Sequence, residues 1–523
     1  MRRALRALTR GELALLAVLA AWSVVPMAAA LVHLAQDGGT WSGVDGRGVL
    51  DHYQYLAWVR EAGEHVLISN RFDTADDPAV YAQPMWALSG LVAALTGSVQ
   101  LGFLLWKPLG VAVLFGGAWA YVRRTVEGTG RRLAALALSL FYFAPVAALV
   151  GWGELGDDHA RFVAELFGVE LSAAYSLWGH VQTSVAVGLM PVFLLAAERA
   201  VDPARRAPGR GPRFYGAIAA AAGGLAAWAH PWQGIVLVGI VVALVVWGPD
   251  RRRLLALTAP VAATAAPVLY FFALSRTDTA WERLGPDLPH EWGWLAAALA
   301  PLAVFAAAGA SRMRPLRGLG LHDRALIVWP LVTIAVYAAF QRSFYYHFMS
   351  GLTIPLAVLA VRAVDARSRA AIAAAAAAVV ACTVPGHAYQ LDRLRDEVEA
   401  GGLARYFTAD EAAALDYLDD APRDGAVLAR VYLGAAVPAF TGRRTYVGHP
   451  GWTPDFYERD RDTDRLFHGR MPPAEARALV RASGAAFAIA DCNEPIDLRA
   501  LAGPLVVSER RFGCATVWEL RPP

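Results

Sequence analysis

Apolar runs of roughly 17–25 residues recur from residue 13 to residue 386, each long enough to cross hydrocarbon as a helix. That recurrence decides the fold class. The chain is 56% hydrophobic and only 18% charged, where a soluble globular chain carries about a quarter charged residues. The expected architecture is an α-helical polytopic membrane protein. The net charge of +3 is scattered, which excludes a nucleic-acid reader. Three cysteines, Cys382, Cys492 and Cys514, exclude a disulfide-rich or zinc-ribbon scaffold.

Arginine marks the cytoplasmic side of a membrane protein. "MRRALRALTR" precedes the first apolar run, so the N-terminus is expected inside. Ala28-Ala29-Ala30 also resembles a signal-peptide cleavage site, though the run is long for one. The later arginine-rich loops, 123–132, 202–213, 250–253, 311–324 and 362–369, all face the cytoplasm if spans lie near 13–35, 99–122, 133–151, 173–199, 214–230, 231–247, 255–275, 292–310, 325–341, 347–364 and 369–386. That gives about eleven transmembrane helices, with 79–97 as a surface or re-entrant helix. The exterior face then receives 36–78, 152–172, 276–291, 341–347 and everything after 386. The short basic cytoplasmic loops contain no Gly-rich phosphate loop opening a helix, so any chemistry faces outward.

The domain division read from this pattern is a multi-span domain over 1–386 and an exterior soluble α/β domain over 387–523. The tail reads as helices at "TADEAAALDYLDD" and "PPAEARALVRASG", and as strands at "AVLARVY", "AFAIAD", "LVVSER" and "ATVWEL". Cys492 and Cys514 both lie there, either bonded in an oxidising compartment or as two unpaired thiols. The placement expected is the plasma (inner) membrane, multi-pass, with a cytoplasmic N-terminus.

Two acidic clusters occupy the exterior loops. The first contains Asp45, Asp51, His52, Asp73, Asp76 and Asp77; the second contains Glu154, Asp157, Asp158 and His159. Carboxylates at an apolar boundary serve as general bases, and two such loops can share a divalent cation, Mg or Mn. Each residue has a structural reading too. Asp51 with Gln54 fits a helix N-cap with its capping-box partner, and Asp45 sits in a Gly-rich turn. "DTADDP" fits loop punctuation, and "GDDH" a hydrated loop.

Candidate cationic and aromatic partners are His230 in "WAHPWQG", Arg342, Tyr346 and His347 in "QRSFYYHF", and Lys107 within span 99–122. Guanidinium groups at headgroup depth suit a phosphate of substrate or of ordinary lipid. A lysine within a span either snorkels to the interface or meets an anion inside the protein. In the tail, "GRRTYVGHPGWTPDF" offers His449 and Trp452 for acceptor contact, or else a strand-to-helix connection.

With these features the chain resembles the GT-C superfamily of polytopic membrane glycosyltransferases, in a bacterial branch. The likeness rests on the inside start, the spans, the acidic first loop with its interfacial helix, and the α/β tail. The motifs that carry it are "DHYQYLAWVREAGE…FDT", "AHPW" and "PAFTGRRTYVGHPGWTPDF". The resemblance implies sugar transfer from a polyprenyl-phosphate-linked donor to an envelope glycan, lipid or protein acceptor on the exterior face. Asp51 or Asp45 would be the base on the acceptor hydroxyl. Asp157 and Asp158, with His159 beside them, would orient the acceptor or help hold a metal. Lys107, Arg342 and His230 would receive the leaving phosphate, with Tyr346 nearby. The residue after Asp51 is His52 rather than a second acid, which weakens a two-carboxylate metal site there. Membrane lipids are the remaining partners, and no nucleic acid is expected. A transporter or lipid flippase would show repeated halves and charges near the midplane; an envelope glycan-binding assembly protein would keep the outer domain without catalysis.

Overall fold

In the computed structural model, seven helices are long and apolar enough to cross a membrane: Arg10–Gln36, Val99–Thr125, Val181–Val201, Leu255–Thr277, Trp292–Ser311, Leu321–Ala339 and Arg369–Ala400. Residues 8–247, 255–284, 289–313, 318–341, 344–364, 368–494 and 496–521 are described. The pair Thr129–Phe141 and Pro145–Trp152 makes an eighth span if counted as one, bent by 52°. Pro145 accounts for the break: it has no N–H for the helical ladder and disfavours helix in the residue before it.

The two spans expected at 214–230 and 231–247 are apolar helices of 18 and 17 residues, Pro212–Ala229 and Pro231–Trp247, which stand outside the seven. His230 stands between them with Pro231 opening the second, so the "HP" pair ends one helix and starts the next. The expected span at 347–364 becomes a 3-10 turn, Tyr345–Met349, followed by the ten-residue helix Thr353–Arg362. The chain is therefore a helical, multi-pass membrane protein; seven or eight described helices meet the length and apolarity needed to span.

The chain divides into two compact units. The first contains Met1–Ser23, Trp106–Ala273 and Gly285–Arg393; the second contains Val24–Leu105, Leu274–Leu284 and Leu394–Pro523. The first exterior loop and the tail thus belong to the same unit.

In the first unit, glycines let spans approach closely, as membrane helices require where no hydrophobic drive exists between them. A Cβ on Gly117 would collide with the Gly188 carbonyl oxygen, and one on Gly188 with the backbone of Val113 and Leu114. Helix Trp106–Thr125 is thereby locked against Val181–Val201.

In the second unit, the tail forms a four-stranded sheet in the order Val427–Leu428, Phe487–Ala490, Ala515–Leu520, Val506–Phe512. The first pair is parallel and the other two antiparallel, with Val427 opposite Phe487 and Ala490 opposite Thr516. Leu428, Leu466, Phe467, Ala488, Leu498, Trp518 and Leu520 fill the core on this sheet. Only Val427–Leu428 of the expected strand "AVLARVY" is extended; Val431–Gly434 turns helical. The helix Ala409–Asp420 carries a complete capping box from Thr408 and Glu411. Cys492 and Cys514 are bonded to each other.

The first loop is stitched to this tail by polar contacts. Thr40 and Trp41 pair with Phe407 and Tyr406 as a short antiparallel ladder. Arg47 donates twice to Glu397, which also accepts from Arg405 at 2.8 Å. Arg405 donates in addition to the Gly46 carbonyl. Asp73 pairs with Arg459 at 3.0 Å, and Asp76 with Arg444.

Gly117→Ala is expected to destabilise the first unit by about 1–3 kcal/mol through overpacking. Gly116→Ala, where nothing lies within 4 Å of the added methyl, should be neutral or slightly stabilising. Thermal unfolding of the two variants in one detergent separates them; equal melting temperatures would refute the close-approach account.

Candidate functional site

Helix Val49–Glu64 opens two residues before Asp51, with Gly48 as N-cap and no side-chain cap bond. The expected N-cap role for Asp51 therefore fails. Asp51 lies in the first helical turn, where its charge suits the positive end of the helix. Its Oδ1 accepts from His449 Nε2 at 3.1 Å. The ring's other nitrogen fixes the tautomer: Gly451 N–H donates to His449 Nδ1 at 3.0 Å, so the proton sits on Nε2 and points at Asp51. Thr453 Oγ1 accepts from the backbone N–H groups of Gly448 and His449, which holds the loop in place. His449 is buried, with 8% of its side chain exposed, whereas Asp51 keeps 46% exposed. The result is an accessible carboxylate oriented by a buried, neutral imidazole.

Asp45 is wholly buried rather than on an open turn. Its neighbours Ser42 to Gly46 are buried as well, because the tail covers them: Ser42 Oγ donates to the Arg405 carbonyl at 2.6 Å. Trp452 is buried also, packed edge-on against Trp58 and Trp281 at 5.5 and 5.1 Å. Its carbonyl accepts from Asn70 Nδ2 at 3.0 Å. Asp77 takes the Asn70 N–H at 3.2 Å, and burial followed by the nearby Asp278 charge pushes its carboxyl above the ordinary carboxylate range.

The first unit contains a separate polar cluster. Glu170, on helix Asp158–Leu171, accepts from His347 Nδ1 at 2.8 Å and from Ser350 Oγ at 2.9 Å. Gln233 Nε2 donates to the carbonyls of His347 and Ser350 at 2.9 and 3.1 Å. That fixes the amide, so Gln233 Oε1 accepts from His230 Nδ1. Trp232 packs against both histidine rings, and Tyr346 against His347. Burial, then the His347 ring beside it, drives the His230 pKa down to about 3. His230 is therefore neutral at physiological pH and meets a ligand as a hydrogen-bonding ring, not as a cation. Burial works against the Glu170 anion, but His347 and Ser350 outweigh it, so the carboxyl sits below its ordinary value.

The remaining candidates take local roles. Asp157 caps its helix, accepting from Ala160 N–H at 2.8 Å. Asp158 is exposed and pairs with Arg161, and His159 faces Glu291 at 3.0 Å. Lys107 is buried and donates to the carbonyls of Ser23 and of Leu177, the latter at 2.9 Å. The reason lies in Pro26. It has no N–H to give the Trp22 carbonyl one turn earlier, and Trp178 Nε1 supplies one at 2.6 Å. Lys107 serves the next carbonyl along. Arg342 lies outside the described residues. Glu170 escaped the sequence reading because one acid among Phe167, Val169 and Leu171 looks like ordinary helix surface. Its signal was solitude: the acid sits on an otherwise apolar stretch.

Among the described residues, one group of three metal-type ligands comes within ligand distance, Asp410 with Cys492 and Cys514. Its two sulfurs form the disulfide and are not thiolates, so this donor set does not suit a metal ion.

No family model matches the sequence, and no curated protein matches it. Solved structures do match in fold. The oligosaccharyltransferase of Archaeoglobus fulgidus in the apo form superposes with a TM-score of 0.51 at 12% identity, over 92% of this chain and 70% of that one. ArnT from Cupriavidus metallidurans bound to undecaprenyl phosphate gives 0.50 at 16% identity, over 95% and 98%. The archaeal oligosaccharyltransferase AglB with an inhibitory peptide and a dolichol-phosphate gives 0.50 at 11%, over 92% and 69%. At these identities the fold is what is shared.

Glu170→Gln should lower the melting temperature at neutral pH, by the equivalent of about 1–3 kcal/mol, since His347 and Ser350 lose their charged acceptor. The folded carboxyl titrates below its unfolded value of 4.5, so its stabilisation is complete above that pH and fades as pH falls through the lower folded value. The melting gap between variant and wild type should therefore close on acidification below about pH 4; a gap constant with pH would refute the pairing.

Proposed function

We propose that the chain is a membrane glycosyltransferase that moves a sugar from a polyprenyl-phosphate-linked donor to an acceptor hydroxyl on the exterior face, with Asp51 as general base. The observation that carries this reading is the accessible Asp51 carboxylate held by the neutral His449. It is supported by the shared fold with a structure bound to undecaprenyl phosphate and another in complex with a dolichol-phosphate.

In this reading His449 Nε2–H holds Oδ1 and orients the half-exposed carboxylate toward the acceptor. The acceptor hydroxyl gives its proton to Asp51 as its oxygen attacks the anomeric carbon. The bond from that carbon to the lipid phosphate breaks, and the electron pair leaves with the polyprenyl phosphate. General-base help of this kind contributes about 10²–10⁴-fold. His449 is a positioning residue: it orients the carboxylate without cancelling its charge. Asp45 is too deeply buried to reach an acceptor and takes no part.

The disulfide between Cys492 and Cys514 supports an oxidising, exterior setting for the tail. The acceptor is an envelope glycan, lipid or protein, and the membrane an inner plasma membrane.

The test is a panel of polyprenyl-phosphate sugars offered to the full chain in nanodiscs, scored by release of polyprenyl phosphate. Asp51→Asn should lower kcat by about 10²–10⁴-fold. His449→Ala should cost less, and His449→Gln, which can still donate a hydrogen bond, should recover part of the loss. Undiminished turnover in Asp51→Asn would refute the base assignment. Translocation of intact lipid-linked sugar without bond cleavage would refute the transferase.

A further inference from the structure

The second unit contains a closed circuit of four aromatic rings that the transfer reaction does not use. Trp58 meets Tyr81 at 4.8 Å, Tyr81 meets Trp281 at 4.8 Å, Trp281 meets Trp452 at 5.1 Å, and Trp452 returns to Trp58 at 5.5 Å. Adjacent rings stand steeply to one another, at 63°, 58°, 81° and 81°. They come from four separate places: the first-loop helix, the strand Tyr81–Ala82, the short helix Thr279–Arg283 and the tail. A pocket opens among them, lined also by Ser69, Asn70 and Asp77. Its enclosed part admits a group about the size of one water molecule.

The walls and the charge select one kind of guest. Aromatic faces carry negative potential, and a cation within about 6 Å of a ring centroid is attracted to it. All four rings line the pocket, so a cation held there lies against them. Asp77 adds a carboxylate to the wall, and the charges of Asp278 and Asp73 bear on the same place, opposed by Arg283. A sugar ring needs a broad exposed platform, but Trp58, Tyr81 and Trp452 are each at most 8% exposed. A trimethylammonium group is too large for a water-sized space.

We propose that this aromatic box with its Asp77 wall binds a primary ammonium group. The group belongs either to the headgroup of an aminophospholipid or to an amine on a soluble ligand. The site stands apart from the base assignment, since none of the four rings and neither Asp77 nor Asp278 takes part in proton transfer.

The experiment titrates ethylammonium chloride into the full chain in nanodiscs of phosphatidylglycerol and phosphatidylcholine, followed by calorimetry at constant ionic strength. Saturable binding is expected, with none for tetramethylammonium. Asp77→Asn, which keeps an oxygen for the Asn70 N–H, should raise Kd at least about tenfold; Trp281→Leu, at a partly exposed ring, should also weaken binding. Asp51→Asn should bind as wild type does while losing transfer, so failure of one proposal is separable from failure of the other. Absence of saturation in the wild type, or equal affinity in Asp77→Asn, overturns the proposal. Nanodiscs doped with phosphatidylethanolamine then identify the source: a raised apparent Kd points to the lipid headgroup, and an unchanged one to a soluble amine.

Discussion

The hydrogen bond between Asp51 and His449 joins residues 398 positions apart, and the rest of the second unit is arranged so that it can form. Asp51 is placed by a helix; His449 is placed by a loop held by its own hydrogen bonds. Its backbone N–H goes to Thr453, its Nδ1 accepts from Gly451, and its Nε2–H is left for Asp51. A carboxylate oriented by a partner so distant in sequence has its geometry only when the tail has folded onto the first loop. Arg47, Glu397 and Arg405, the Asp73–Arg459 and Asp76–Arg444 pairs, and Arg60 with Asp419 supply that docking.

Those pairs also explain why an acid-rich loop presents few acids for chemistry. Glu61 is buried and taken up by Arg71 and by Ser69, through both its backbone N–H and its hydroxyl. Asp157 is used as a cap and Asp158 by a neighbouring arginine. Exposed pairs of this kind contribute little stability each, but each satisfies its carboxylate. Asp51 is met by a group of a different type, the buried imidazole of His449.

The spans were legible because bilayer thickness imposes a length that apolar runs must meet. Two of the tail's helices, at 408–420 and 472–484, and three of its strands were legible from periodicity, whereas the helix Phe456–Phe467 was not read. The Pro145 break and the shortening at 345–362 were harder, because hydropathy sums over a window and does not register where a helix turns. The site was half legible. Asp51 and His449 were each named on chemical type, yet nothing in the sequence could pair them across 398 positions. Lys107 was read as a charge within a span, and among its partners are the backbone carbonyls of Ser23 and Leu177. Carbonyl partners leave no trace in a side-chain motif. Glu170 and His347 were unreadable as a pair for the same reason as Asp51 and His449: contact depends on the fold.

The choice of imidazole at Asp51 has a chemical logic. A bidentate arginine would hold a carboxylate more tightly, with both oxygens occupied and the negative charge matched. A neutral N–H donor occupies one oxygen, sets the plane of the group and adds no positive charge to the site. Gly451 enforces that neutrality, because its N–H faces His449 Nδ1 and would oppose a second ring proton there. In the proposed transfer, a base that receives the acceptor's proton is better served by orientation than by a counter-charge. In the second unit arginines pair with Asp73, Asp76, Glu61, Glu397 and Asp419, and a histidine stands on Asp51.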